Sequence, residues 1–189
     1  MKSINKIVFL AILLLLILQL CAQCPIYGDK SNPKFMKLDS LKNRNFYGKV
    51  DPSITLNRIL SPDQNYTSLQ YVSIIGYVSL VKYGGPETCN CHDTAKNTLD
   101  IHIELALKPG ASNTESMVVE INRYVRSAHP EYNLKNIKQY VGKQVRVEGW
   151  MFNDEEHFQN AVVTNPKGSH NWRYTCWEIH PVMKISLVQ

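Results

Sequence analysis

The sequence predicts a mainly β protein, with five strands closing a Greek-key barrel and one helix between the third and fourth strands. An irregular N-terminal extension precedes the barrel. Three observations lead there: a long β-branched and aromatic run interrupted by Gly76, an element order of three strands, helix, two strands, and strand segments that alternate apolar with polar side chains.

The extension comes first. Lys2 and Lys6 precede the unbroken apolar run Ile7 to Leu18. At helical rise this run spans ~18 Å, too short for a ~30 Å hydrocarbon core. With Leu20-Cys21-Ala22-Gln23 behind it, residues 1–22 read as a signal peptide cut after Ala22. A retained signal anchor, or a lipoprotein cut before Cys21 or Cys24, is the competing reading. The expected address is therefore secreted or periplasmic, with no transmembrane span in the mature chain. Residues 23–70, punctuated by Asn32-Pro33, Asp51-Pro52 and Ser61-Pro62, read as an irregular segment wrapping the domain.

Residues 71–189 form the expected barrel domain. Strand one runs from Tyr71 to Tyr83, where Gly76 suggests a bulge or sharp coil, and Gly84-Gly85-Pro86 ends it. Strand two covers about 98–107, and Pro109-Gly110 turns the chain into strand three, Met117 to Arg123. Leu134, Ile137, Tyr140 and Val141 have helical spacing, with Asn133 as a cap and Gly142 at the C-terminal position. Strand four is Gln144 to Phe152, and strand five is about Tyr174 to Val188. This order resembles the OB-fold, in which a helix between strands three and four plugs one barrel end. An open α+β sandwich of the same elements competes with it.

Several stretches also resemble signature stretches of an uncharacterised group of secreted bacterial proteins. They are Gly76-Tyr77-Val78, Gly84-Gly85-Pro86-Glu87-Thr88-Cys89-Asn90-Cys91, His102-Ile103-Glu104-Leu105 and Trp177-Glu178-Ile179-His180-Pro181-Val182. The resemblance implies export and a single domain. It assigns no residue a role.

Composition narrows the function. The formal charge of +5 falls by two when Lys2 and Lys6 leave with the signal, and the remaining Lys and Arg are scattered. A nucleic-acid module would show a concentrated basic stripe, so nucleic acid is disfavoured as a partner. No phosphate-cradling loop, dinucleotide fingerprint, HExxH helix or Gly-x-Ser-x-Gly elbow occurs. The mature chain keeps Cys24, Cys89, Cys91 and Cys176. Cys89 and Cys91 are too close to pair comfortably, so Cys176 is expected to bond with Cys89 or Cys91, with Cys24 taking the other or staying free. A zinc site from Cys89, Cys91 and His92 is the rival reading.

Two strands carry the candidate chemistry. Alternation puts Asp100, His102 and Glu104 on one face of strand two, and Cys176, Glu178 and His180 on one face of strand five. In an OB-type barrel strand three lies between them, so Glu120 falls between the two histidines. Strands two and five then stand ~10 Å apart across the central strand. His102, Glu120 and His180 are candidate ligands for a divalent metal such as zinc, with Glu178 or Asp100 as the catalytic base that activates water. His157, in the acidic loop Asp154-Glu155-Glu156-His157, could complete such a site, although that loop reads more simply as exposed. The bland account of both histidines is structural, each pinned to a neighbouring carboxylate or carbonyl.

Aromatic residues support a different function. Trp172, Arg173 and Tyr174, at the edge of a polar loop, form the best exposed binding candidate, with Arg123 or Arg173 available to steady an anion. Three functions compete: a secreted OB-like binding module for a glycan, peptide or envelope protein; a metal-dependent hydrolase of nuclease or phosphoesterase type; and a structural envelope protein.

Overall fold

The computed structural model describes residues 24–63 and 65–188. The signal-peptide reading lies outside the described residues. Among them, no helix is long and apolar enough to cross a membrane.

Five strands close a barrel: β1 (Tyr71–Tyr83), β2 (Ile101–Ala106), β3 (Ser116–Ile121), β4 (Gln144–Asn153) and β5 (Trp177–Leu187), in the spatial order β1-β2-β3-β5-β4. Every contact is antiparallel except β3 with β5, which is parallel. Alternation builds the interior. Ile101, Ile103 and Leu105 of β2 meet Val119 and Ile121 of β3, Val145 and Val147 of β4, and Ile179 and Val182 of β5 in one buried core.

The first strand has the expected bounds, but its irregularity does not sit at Gly76. The register slips between Val78 and Leu80, whereas Gly76 pairs in step with Val145. Gly76 serves a different need: a Cβ there would collide with Leu56 and Leu105. Leu56 belongs to a short helix that packs its side chain where strand one offers none.

That helix, α2 (Leu56–Ile59), and the longer α1 (Pro33–Lys42) lie in the segment expected to be irregular. Asn32-Pro33 marks a helix start: the Asn32 side chain accepts from the Lys34 N–H, and proline occupies the first turn, where its missing N–H costs nothing. Hydrophobic periodicity could not reveal α1, because the residues it buries are Asp39 and Lys42. The following residues tie this segment into the domain. Asn43 donates to the carbonyls of Ile26 and Cys89, and Arg44 donates to those of Ser68, Met151 and His180.

Two helices, α3 (Arg123–Ala128) and α4 (Leu134–Ile137), separate β3 from β4 where one was expected. Asn122 caps α3 by accepting from Val125 N–H, and its amide donates to the carbonyls of Lys42 and Arg44. Asn133 caps α4 as expected, the helix tightens into a 3-10 turn over Lys138–Tyr140, and Gly142 follows at φ +78°. Val125, Tyr132 and Ile137 join the core from this connection.

The bond expected of Cys176 does not form, while Cys24 takes one of the two neighbouring cysteines, as one of its alternatives allowed. Cys24 is bonded to Cys91, while Cys89 and Cys176 are buried thiols. Cys176 enters β5 with its sulfur 3.6 Å from Thr164 Oγ1, and the Cys89 sulfur faces Glu87. The bond removes Cys91 from any zinc site with Cys89 and His92, and a Cys24 sulfur held by Cys91 cannot also carry a thioether-linked lipid.

Candidate functional site

The three polar strand faces converge. In the β2–β3 ladder His102 stands directly opposite Glu120, and in the parallel β3–β5 contact Val119 pairs with Ile179, bringing Glu120 beside His180. Glu120 therefore lies between two imidazoles. His102 Nδ1 is 2.8 Å from Glu120 Oε1, and His180 Nδ1 is 3.3 Å from Glu120 Oε2. His180 Nε2 approaches Asp100 Oδ2 at 3.1 Å, and its Nδ1 lies 3.5 Å from Glu178 Oε2. Glu104 stands at 3.7 Å from His102 Nε2.

This wall is not the solvated outer surface that alternation alone suggests. Asp100, His102, Glu104, Glu120, Glu178 and His180 are all buried, and so is every residue of β2 and β3. The extension, the Cys-rich turn and the loop between β4 and β5 cover it. Lys42 of α1 pairs with Glu87 at 2.5 Å, and Asn122 fastens the end of α1 to the end of β3.

The loop contributes a second layer. Asp154, expected to be exposed, is buried and accepts from Arg173 at 3.0 Å and from the His157 ring at 2.5 Å. Arg173, expected at an exposed binding edge, is 1% exposed, and its other terminal nitrogen donates to Glu178. Trp172 is half-buried, with the Arg173 guanidinium 4.6 Å from its ring centre and Lys82 at 5.8 Å. Its ring also meets His157 edge-on, and that of His102 at a tilt. It packs over the wall and is not an open stacking platform. Tyr174 is half-buried, and its backbone N–H bonds to Ser116 O. Arg123 sits apart, donating to the Cys24 carbonyl and Tyr124 and lining a cleft beside the disulfide. It is not placed to steady a ligand at the wall.

Burial and pairing pull the ionisations in opposite directions. Burial works against charge on both imidazoles, but the carboxylates outweigh it: Glu104 and Glu120 raise His102 to about 9, and Asp100, Glu178 and Glu120 raise His180 to about 10. Glu120 is driven down to about 2, its desolvation overcome by the two histidines. Desolvation raises Asp100 against the opposing pull of His180, and raises Glu178 against that of Arg173. Asp154 is held well below the usual carboxylate range: His157, Lys42 and Arg173 overcome its burial.

An opening of roughly 450 Å³ reaches this wall, lined among others by Lys82, His102, Glu120, His157, Trp172 and Glu178. Behind its floor, Asp100, Glu120 and His180 each present a ligand atom within 4.8 Å of the others. Two of the three expected metal ligands are thus grouped, and Asp100 takes the place expected of His102. Lys42 was not legible as part of the site, since a lysine between Leu41 and Asn43 carries no signal of burial. No protein-family model and no curated protein matches the chain.

Proposed function

We propose that the protein is an exported binding module of OB type whose polar wall takes a ligand bearing positive charge. The disulfide supports the address, because such bonds persist in oxidising compartments. The observation that carries the reading is a cluster of buried carboxylates whose countercharge, Arg173 apart, comes from titratable histidines. Asp100, Glu104, Glu120, Asp154 and Glu178 are each at least nine-tenths buried. Among the described residues, Arg173 is the only permanently charged cation within 4.0 Å of any of them. Lys42 is engaged by Glu87. Buried carboxylates are tolerated when countercharge accompanies them. Here that charge comes from protons on His102 and His180 or from a bound cation, and the cleft gives a cation its route.

Thermal melting with three probes tests the reading: zinc chloride, spermidine and a neutral chito-oligosaccharide. A cationic probe is expected to raise the melting temperature, and Glu120→Gln to weaken the effect. A melting temperature moved by neither cation, or by the neutral sugar alone, overturns the proposal.

A metal-dependent hydrolase is the second reading, favoured by Glu178. Its Oε2 accepts no hydrogen bond, and the residue lines the cleft. A desolvated carboxylate so placed suits proton abstraction from water. Hydrolysis of a generic phosphodiester by the zinc-loaded protein, abolished in Glu178→Gln, supports this reading, and no turnover removes it.

A further inference from the structure

Resting on the charge-binding reading, we infer that the cation is a single first-row transition dication, of the zinc or manganese class, seated between Asp100, Glu120 and His180. The three donors come from separate places: Asp100 immediately before β2, Glu120 in β3 and His180 in β5. The barrel fixes Glu120 and His180, and the Gly84 N–H, bonded to the Asp100 carbonyl, holds Asp100 at the start of β2.

The orientation of His180 separates this site from an ordinary acidic cluster. The residue is 0% exposed, and its two ring nitrogens have carboxylate oxygens at 3.1, 3.3 and 3.5 Å. The ring interacts with Asp100 and Glu178 across these contacts, but neither nitrogen has a well-aligned hydrogen bond. An imidazolium held only by ion pairs would turn its N–H groups toward its acceptors. Ligands of one ion behave otherwise, each aiming at the ion and leaving neighbouring donors side by side. For ligand bonds of about 2.0–2.1 Å in a tetrahedron, neighbouring donors stand about 3.3 Å apart. One imidazole gives one nitrogen to an ion: with Nε2 as that ligand, its 3.1 Å separation from Asp100 Oδ2 matches the edge, and Nδ1 is left facing Glu120 and Glu178 at 3.3 and 3.5 Å.

The surroundings fit the same centre. Glu120 turns its other oxygen to His102 Nδ1, so His102 is a positioning residue that orients a ligand, as outer partners of metal sites do. Two carboxylates with one imidazole suit zinc or manganese, imidazole favouring the first and carboxylate the second. Glu120 lines the cleft whereas Asp100 and His180 lie behind it, so the ion is reached past Glu120. Glu178 Oε2 lies 3.5 Å from His180 Nδ1, the ring nitrogen turned away from Asp100, where it orients the imidazole from outside the ligand set.

The test uses the full mature chain, stripped with chelator and dialysed against zinc or manganese, with metal content measured after removal of the excess. A single ion per chain is expected. Cobalt loading should give the visible absorption of a low-symmetry site containing nitrogen, a readout that needs no variant. Asp100→Asn and His180→Gln should lose the stoichiometric ion, while His102→Gln keeps it at affinity reduced about 10–100-fold. Circular dichroism checks each variant for folding, and Asp100→Asn decides if His180→Gln does not fold. Loss of the ion in His102→Gln together with its retention in Asp100→Asn overturns the assignment. A wild-type chain that retains no dication and gives no cobalt spectrum overturns the metal inference. If spermidine still raises its melting temperature, the broader charge-binding reading stands; if spermidine also fails, both fall together.

Discussion

Replacing Arg173 with methionine tests the charge arrangement most directly. The guanidinium is 1% exposed and bridges Asp154 and Glu178, both buried. Methionine fills much of the same volume but leaves two carboxylates without their permanent countercharge. Breaking a buried pair this way costs about 3–5 kcal/mol, far above the worth of a surface ion pair. With a urea slope of about 2 kcal/mol per molar, the unfolding midpoint should fall by ~1.5–2.5 M. Adding Glu178→Gln removes one of the stranded charges and should restore part of the loss. The deficit also depends on pH. Without Arg173 both carboxylates titrate higher than in the wild type, Glu178 further above its unfolded value near 4 and Asp154 less far below it, so on acidification the variant's folded state binds more protons than the wild type's. The variant's deficit must therefore shrink as pH falls from 7 to 5. A midpoint shift under about 0.5 M, or a deficit that grows on acidification, would refute the reasoning that the wall depends on this countercharge.

Two further outcomes follow from the same structure. The His157 ring is raised from its ordinary value by its hydrogen bond to Asp154, against the opposing effect of burial. Its contribution to stability is then fully present below the unfolded value near 6.5 and is lost as pH rises through the higher folded value. The ring is one-third exposed, so solvent screens the pair, and the informative quantity is the midpoint. Proton NMR of the ring should place it above 6.5 in the wild type and lower in Asp154→Asn; a wild-type midpoint at or below 6.5 contradicts the pairing. The disulfide should appear in an unreduced peptide map as Cys24 joined to Cys91, with Cys89 and Cys176 as thiols. Its 67-residue separation implies a chain-entropy contribution of about 4 kcal/mol, so Cys24→Ser should melt well below the parent. A Cys176 cross-link, or an unchanged melting temperature, counts against it.

How much of this was legible depended on whether each residue's environment was local. The strands were readable because β-branched alternation is a property of neighbours in sequence; β1 has the bounds its composition suggests, and β4 extends one residue further, to Asn153. The placement of Glu120 between His102 and His180 was also readable, since strand order and a two-residue period determine which side chains share a face. What covered that face was not. Alternation says that Glu104 and Glu178 point away from the core, but not that α1 and the loop after β4 roof them over. The roof is hard to see because its inward residues, Asp39, Lys42, Arg44 and Asp154, are of the type normally assigned to solvent. The cysteine pairing failed for a related reason. Four thiols allow three pairings, and the choice among them depended on where Cys24 docks, which no local pattern encodes.

A roofed wall of this composition is a poor way to hold a barrel shut. The apolar face of the same strands, with Ile101, Ile103, Val119, Ile121 and Ile179, already supplies the barrel's core. On the opposite face, apolar side chains of similar volume would close α1 and the β4–β5 loop onto the sheet without desolvating a single charge. Such replacements of buried ion pairs are often neutral, or stabilising by about 1–4 kcal/mol. Stability alone therefore does not explain why acids and imidazoles occupy successive inward positions beneath the roof. Nor is mutual satisfaction complete, because His180 Nδ1, His180 Nε2 and Glu178 Oε2 meet their partners without well-aligned hydrogen bonds. A group that is expensive to bury and left unsatisfied once buried makes physical sense where another charged species completes it. The cleft past Glu120 leads to this network, where Asp100, Glu120 and His180 each place a ligand atom within 4.8 Å of the others.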